Sequence, residues 1–174
     1  MHVEFAPDIQ FRGKSMLLLR GKVRFGKRVT FQSGPLYSFD AGSRCKIDVA
    51  RNATLLIGDY SGMSNTTISC KKSITIGKYV NIGGGSLIMD SNFHSIDWEK
   101  RRDYHTDKLD AKSAPIIIGD DVFIGARCII CKGVKIGDRA VIAAGSVVVN
   151  DIPADSIAGG NPCRIIRQTV KNRM

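Results

Sequence analysis

The chain has 174 residues, enough for one domain with a core of its own, and carries a net charge of +10. It holds 21 Ile and 12 Val but only 8 Leu, together with 18 Gly. β-Branched side chains lose freedom in helices and pack well on pleated surfaces, and glycine serves turns, so this composition excludes a helical bundle and predicts strands joined by many bends.

Met1 to Pro7 include a His and a Glu and lack the basic-then-apolar pattern of an export signal. No apolar stretch approaches the ~20 residues that span a bilayer, so a cytoplasmic protein with no membrane span is expected. Repeat-like sequence begins near Phe25-Gly26, with a second loose copy at Ile57-Gly58. The copies tighten at Ile76-Gly77, Ile82-Gly83 and Ile88. From about residue 89 to 115 the register disappears, and this excursion holds the only Trp, Trp98, and two of the three histidines, His94 and His105. A loop of this length inside a repeat array points to function.

The register returns at Ile118, Ile124, Ile130, Ile136, Ile142 and Val148, each six residues after the last. The fifth position of each unit is small: Val122, Cys128, Val134, Ala140 and Ser146. A period of six fits neither an amphipathic helix nor an alternating hairpin strand. It fits a short strand and a bend, repeated, with the aliphatic inward at each corner and coils stacked at the ~4.8 Å strand spacing. The predicted fold is all-β: a parallel β-solenoid with three hexapeptides to a coil, one excursion loop, and a tail from about Ala154 that carries Arg164 and Arg167.

The positive charge is spread along the chain, with no nucleic-acid signature or run of exposed aromatics beside it, so no nucleic-acid partner is expected. A surface that receives an anionic small molecule is the functional alternative to a merely solvated one. Five cysteines without an export signal are expected to be reduced thiols, and the lone Cys128/Cys131 pair is a weak metal or redox signal. His94 is the candidate catalyst, because a neutral imidazole can take a proton from a hydroxyl and return it. It lies among Asp90, Asn92 and Asp97, and a neighbouring carboxylate or backbone carbonyl can fix which ring nitrogen carries the proton. Asp90 and Trp98 are the candidate acceptor contacts within the excursion.

From Asn65 to Arg167 the sequence resembles the galactoside, maltose and related O-acetyltransferases of the hexapeptide-repeat superfamily. The resemblance rests on Asn65-Thr66-Thr67-Ile68, Ser73-Ile74-Thr75-Ile76-Gly77, Val122-Phe123-Ile124-Gly125, Ile142-Ala143-Ala144-Gly145-Ser146 and the ending Gly160-Asn161-Pro162-Cys163-Arg164. It implies a left-handed β-helix, a homotrimer with sites between subunits, acetyl-CoA as co-substrate, a small-molecule or glycan acceptor, and no metal. It implies His94 as general base and Asn65 as an acceptor-side residue. It implies cofactor contacts at Phe123, Ala126, Ala144, Val149, Asn150, Arg164 and Arg167. Phe123 stands where relatives often carry a stacking Trp, and Asn150 where they often carry a Lys. The missing N-terminal helical segment turns the expected acceptor from simple galactosides or maltose towards surface-polysaccharide precursors. A drug-modifying acetyltransferase of the same fold and a non-catalytic scaffold are the alternatives. A γ-type carbonic anhydrase would need three converging histidines, which His2, His94 and His105 do not supply.

Overall fold

Every aliphatic of the six-residue register from Ile118 to Val148 is buried in the computed structural model, which describes residues 2–35 and 44–169. The chain winds three strands per coil. The first coil is β1 (His2–Phe5), β2 (Gln10–Arg12) and β3 (Met16–Leu19). The second is β4 (Lys22–Phe25), β5 (Thr30–Gln32) and β6 (Lys46–Val49). The third is β7 (Thr54–Ile57), β8 (Gly62–Ser64) and β9 (Thr67–Cys70), and the fourth is β10 (Ser73–Ile76), β11 (Asn81–Ile82) and β12 (Leu87–Met89). Two short helices interrupt here, α1 (Trp98–Arg101) and α2 (Tyr104–Asp110). The fifth coil is β13 (Ile116–Ile118), β14 (Phe123–Ile124) and β15 (Ile129–Ile130), and the sixth is β16 (Lys135–Ile136), β17 (Val141–Ile142) and β18 (Val147–Val148). β19 (Ser156–Gly159) and β20 (Arg164–Gln168) close the array.

Strands of like position pair in parallel from coil to coil, giving three sheets around one core: a left-handed parallel β-helix. Sheet 1 runs from β1 to β16, sheet 2 from β2 to β20, and sheet 3 from β3 to β18. The register stacks β-branched aliphatics on one another: Ile57, Ile76, Ile118 and Ile136 in sheet 1, and Ile47, Ile68, Ile88, Ile130 and Val148 in sheet 3. Each fully buried Ile contributes about 1.5–3 kcal/mol relative to exposure, and here every one also touches its neighbours above and below. Small residues at the corners let backbones approach. A Cβ on Gly125 would lie 2.5 Å from the Ala144 nitrogen, so that corner admits only glycine.

Two boundaries differ from the sequence expectation. The solenoid begins at His2, a full coil before Phe25, and its first coil is held by Phe5 and Phe11 stacked on Phe25 and Phe31 at 4.9 and 5.0 Å. Aromatic stacking replaces the Ile-Gly signature there. The stretch read as a tail from Ala154 instead adds β19 in parallel to β17, and β20 then turns back antiparallel on β19. No helix is long and apolar enough to cross a membrane among the described residues.

Candidate active site

The excursion leaves at the corner between sheets 3 and 1 and is pinched at its neck. Ser91 bridges Ser113, Asn92 N–H donates to Lys112 O at 3.0 Å, and Ala114 N–H donates to Asp90 O at 3.0 Å. The Asp90 carboxylate accepts the N–H groups of Lys71, Lys72 and Ser73 at 2.7, 2.7 and 2.8 Å and is 0% exposed. Asp90 therefore ties the neck to the coil beneath it. It has no surface to offer an acceptor, which corrects the reading of this residue as a substrate contact.

Beyond the neck, each helix is capped by its own aspartate. Asp97 accepts from Glu99 N–H at 2.9 Å, and Asp103 accepts from His105 and Thr106 N–H at 3.1 and 3.0 Å. The second cap fixes α2 so that Asp107, in its first turn, faces back towards the neck. Asp107 Oδ1 accepts Ser95 N–H at 2.6 Å, and Oδ2 lies 2.7 Å from His94 Nδ1. Ser95 N–H, and then His94, hold the Asp107 carboxyl below its usual range, so at neutral pH it is an acceptor only. In the neutral imidazole this bond puts the His94 proton on Nδ1 and leaves the Nε2 lone pair free. The imidazole side chain is 69% exposed, so Nε2 is accessible to a reactant.

The same shell is braced further out. Ser95 Oγ donates to Asp110 at 2.7 Å, Lys100 Nζ donates to Asp110 at 3.0 Å, and the Arg101 guanidinium donates to Ser95 O at 2.6 Å. Asn92 and Asp97, the nearer polar candidates in sequence, do not contact the His94 ring. The sequence reading missed Asp107, thirteen residues downstream. Its available signal was Asp103 as a helix cap with a second acid one turn on.

The other expected residues fall into separate groups. Asn65 is only 2% exposed and sits at φ 41° at the corner between sheets 2 and 3, its Oδ1 accepting Gly34 N–H at 2.9 Å. This geometry gives it a turn-holding role. Trp98 opens α1 and is exposed, with the Arg102 guanidinium 4.3 Å from its ring centre. Ala126 and Ala144 stack at the corner between sheets 2 and 3, one coil apart, where Gly145 N–H donates to Ala126 O at 2.8 Å. Arg164 pairs with Gly159, and Arg167 with Ile157, at the end of sheet 2, and both side chains are exposed. Phe123 is exposed on the outer face of sheet 2. Val149 and Asn150 instead follow sheet 3, at the corner from which the excursion leaves two coils earlier. One chain thus puts His94, Val149 and Asn150 on one corner, and Ala126 and Ala144 on another.

Burial raises the pKa of all five thiols, that of Cys70 to about 12, where Asp90 adds to the effect. Cys128 is buried and Cys131 half-buried, and all five cysteines are free thiols. No group of three His, Cys, Asp or Glu is placed to hold a metal among the described residues.

Comparison with known proteins adds to this geometry. The family model for the hexapeptide repeat of succinyl-transferase matches residues 115–149. The galactoside O-acetyltransferase of Escherichia coli K12 is 39% identical over 134 residues, which is 77% of this chain and 58% of that enzyme. The chain therefore spans less than two thirds of that relative. A maltose O-acetyltransferase structure from Clostridium difficile 630 superposes with a TM-score of 0.63 at 25% identity, covering 95% of this chain and 68% of the other. A hexapeptide-repeat acetyltransferase of Vibrio cholerae, solved with acetyl-coenzyme A, superposes with a TM-score of 0.67 at 33% identity, covering 84% of this chain and 70% of its own. With three parallel sheets, the hexapeptide register and this shared length, the chain belongs to the hexapeptide-repeat acetyltransferase family.

Proposed function

We propose that this protein transfers an acetyl group from acetyl-CoA to a hydroxyl of a sugar or surface-polysaccharide precursor in the cytoplasm, with His94 as general base. The observation that carries the reading is the Nδ1–H bond from His94 to Asp107 at 2.7 Å, which leaves Nε2 free on an exposed ring. Nε2 takes the acceptor hydroxyl proton as the oxygen attacks the thioester carbonyl. Backbone N–H groups of the small-residue corner, that of Ala126 among them, stabilise the oxyanion. The imidazolium, held against the Asp107 carboxylate, then gives its proton to the leaving thiolate. No covalent acyl-enzyme is required, in keeping with five thiols whose pKa values burial raises.

The separation of the two corners supports a homotrimer, in which the His94 corner of one subunit faces the Ala126 and Ala144 corner of the next. The excursion supplies an apolar surface for such packing: Ile96 is 78% and Leu109 86% exposed. Pantetheine would run along the small-residue corner past Phe123, with Arg164 and Arg167 at the phosphates and Val149 and Asn150 contributed by the facing subunit. Light scattering should give three times 19.0 kDa. The reading is tested by incubation with acetyl-CoA, with and without sugars, nucleotide sugars and antibiotics, while free thiol is followed. Sugar-dependent thiol release is expected. Release with antibiotics alone would move the acceptor to drugs, and no release with any acceptor would leave a scaffold.

A further inference from the structure

A groove of about 360 Å³, within the ~300–1,000 Å³ range of small-ligand sites, crosses the outer face of sheet 2 and uses none of the residues of the His94 shell. Its floor is Gly62. The register stacks Thr30, Gly62, Asn81 and Phe123 in one outward column, so the missing side chain at residue 62 makes the depression. Folding does not demand glycine there. Gly62 is not in the left-handed region, and a Cβ would meet nothing nearer than 3.8 Å.

The walls carry a definite chemistry. The Asn81 carboxamide is exposed and makes no hydrogen bond among the described residues. Gln32 accepts from Ser64 Oγ at 3.1 Å through Oε1, which keeps its two N–H donors for a ligand. Tyr60 stands at one end, stacked on Tyr79 at 5.0 Å and 4°, with both residues at left-handed φ of 62° and 56°. A bulky aromatic is disfavoured at such φ, so the turn itself does not select tyrosine. The opposite end reaches Gly83, where a Cβ would lie 2.4 Å from the Ala126 nitrogen, so the groove runs directly into the small-residue corner.

Arg12 is the one charged side chain among the lining residues, and no carboxylate accompanies it. Phosphate-bearing ligands ask for more cations, and ammonium ligands for an anion. Amide and hydroxyl groups flanked by flat rings match the alternating hydroxyl edges and C–H faces of pyranose rings. From Arg12 in the first coil to Phe123 in the fifth the lining residues span four strand spacings, about 19 Å, more than one sugar ring occupies. We infer that the sheet-2 groove binds a neutral oligosaccharide, placing sugars distal to the acetylated one between Tyr60 and Phe123. The inference rests on the acetyl-transfer reading and narrows its acceptor from a free sugar to a glycan of several units.

Calorimetric titration of the whole protein with glucose, cellotriose, maltotriose and N,N′,N″-triacetylchitotriose tests the groove without needing turnover. At least one trisaccharide should bind tenfold or more tighter than glucose. Gly62→Phe, which fills the floor, should abolish that difference while leaving the thermal midpoint and the acetyl-CoA KM unchanged. Asn81→Ala should weaken the trisaccharide about threefold by removing one hydrogen bond. Should Gly62→Phe misfold, the Asn81→Ala titration decides alone. Trisaccharide binding without any acetyl transfer would sustain the groove and refute the transferase reading. Transfer to monosaccharides with every trisaccharide binding no better than glucose would overturn the groove and leave that reading standing.

Discussion

The regular coils and the excursion between residues 90 and 115 solve opposite problems. In the coils two inward residues per hexapeptide, such as Val122 with Ile124 and Val134 with Ile136, form the core, and the register sets Ile76 on Ile118 and Ile88 on Ile130. In the excursion α1 buries nothing and α2 buries only Asp107. Its order comes from charge-assisted bonds instead, from Asp107 to Ser95 and His94, and from Asp110 to Ser95 and Lys100. Packing stabilises without direction, whereas bonds of this kind set an angle, and a proton-transfer site needs the angle. The contrast implies that substitutions in the loop damage rate and spare stability.

The largest such effect is expected at His94. Removing a general base costs about 10²–10⁴-fold in rate, so His94→Ala should lose nearly all turnover. The ring is largely exposed, so the thermal midpoint should not move. A mutant that folds and still turns over at the wild-type rate would remove His94 from the chemistry.

Asp107→Asn sharpens the comparison, since it keeps shape and removes charge. A hydrogen bond to a charged group contributes about 1.5–3 kcal/mol, so kcat should fall about 10–10²-fold. The KM for acetyl-CoA should hold, because Asp107 reaches the reaction only through His94. A change confined to KM would make Asp107 a loop brace and no more.

How legible these regions were differs for the same physical reason. Ile118 to Val148 could be read directly, because a residue repeated every six positions reports one recurrent environment. Phe5 and Phe11 were not legible as a coil, because that coil packs through aromatic stacking on Phe25 and Phe31 and carries no Ile-Gly signature. β20 was missed because an antiparallel strand needs no hexad. Within the site, His94 stood out as the histidine nearest the last strand before the excursion. Asp107 did not, since its contact depends on how Asp103 caps α2. Asp90 was misjudged because an acid near a catalytic His looks the same in sequence whether its oxygens face solvent or three backbone N–H groups.

Acid should separate the two regions without mutation. Ser95, and then Lys100, lower the Asp110 carboxyl to about 2, and Asp107 is lowered as well, by Ser95 N–H and then His94. Carboxylates depressed on folding stabilise the native state above their unfolded pKa of ~3.9 and lose that contribution as pH falls through the folded values. Between about pH 4 and 2 the loop should therefore loosen while the apolar coils persist. Trp98, the single Trp, reports on α1. Its fluorescence should change before the far-ultraviolet strand signal does, and coincident transitions would show that loop and coils unfold as one unit.

The smallest effect belongs to the far end of sheet 2, where Arg164 and Arg167 extend from β20 with no carboxylate partner among the described residues. Both are exposed, so each contact to a phosphate is made in a high dielectric and contributes on the order of 0.5–1 kcal/mol. Arg164→Ala combined with Arg167→Ala should raise the acetyl-CoA KM about five- to thirtyfold, leaving kcat and the acceptor KM in place. Wild-type affinity for acetyl-CoA should also weaken as salt rises, because charges at such distances are screened over ~8–10 Å. The double mutant should lose most of that salt dependence. Kinetics with each substrate varied in turn at two ionic strengths would decide the matter. An acetyl-CoA KM untouched by both the mutations and the salt would reduce these arginines to solvation of the chain end and leave the net charge of +10 without a part in cofactor binding.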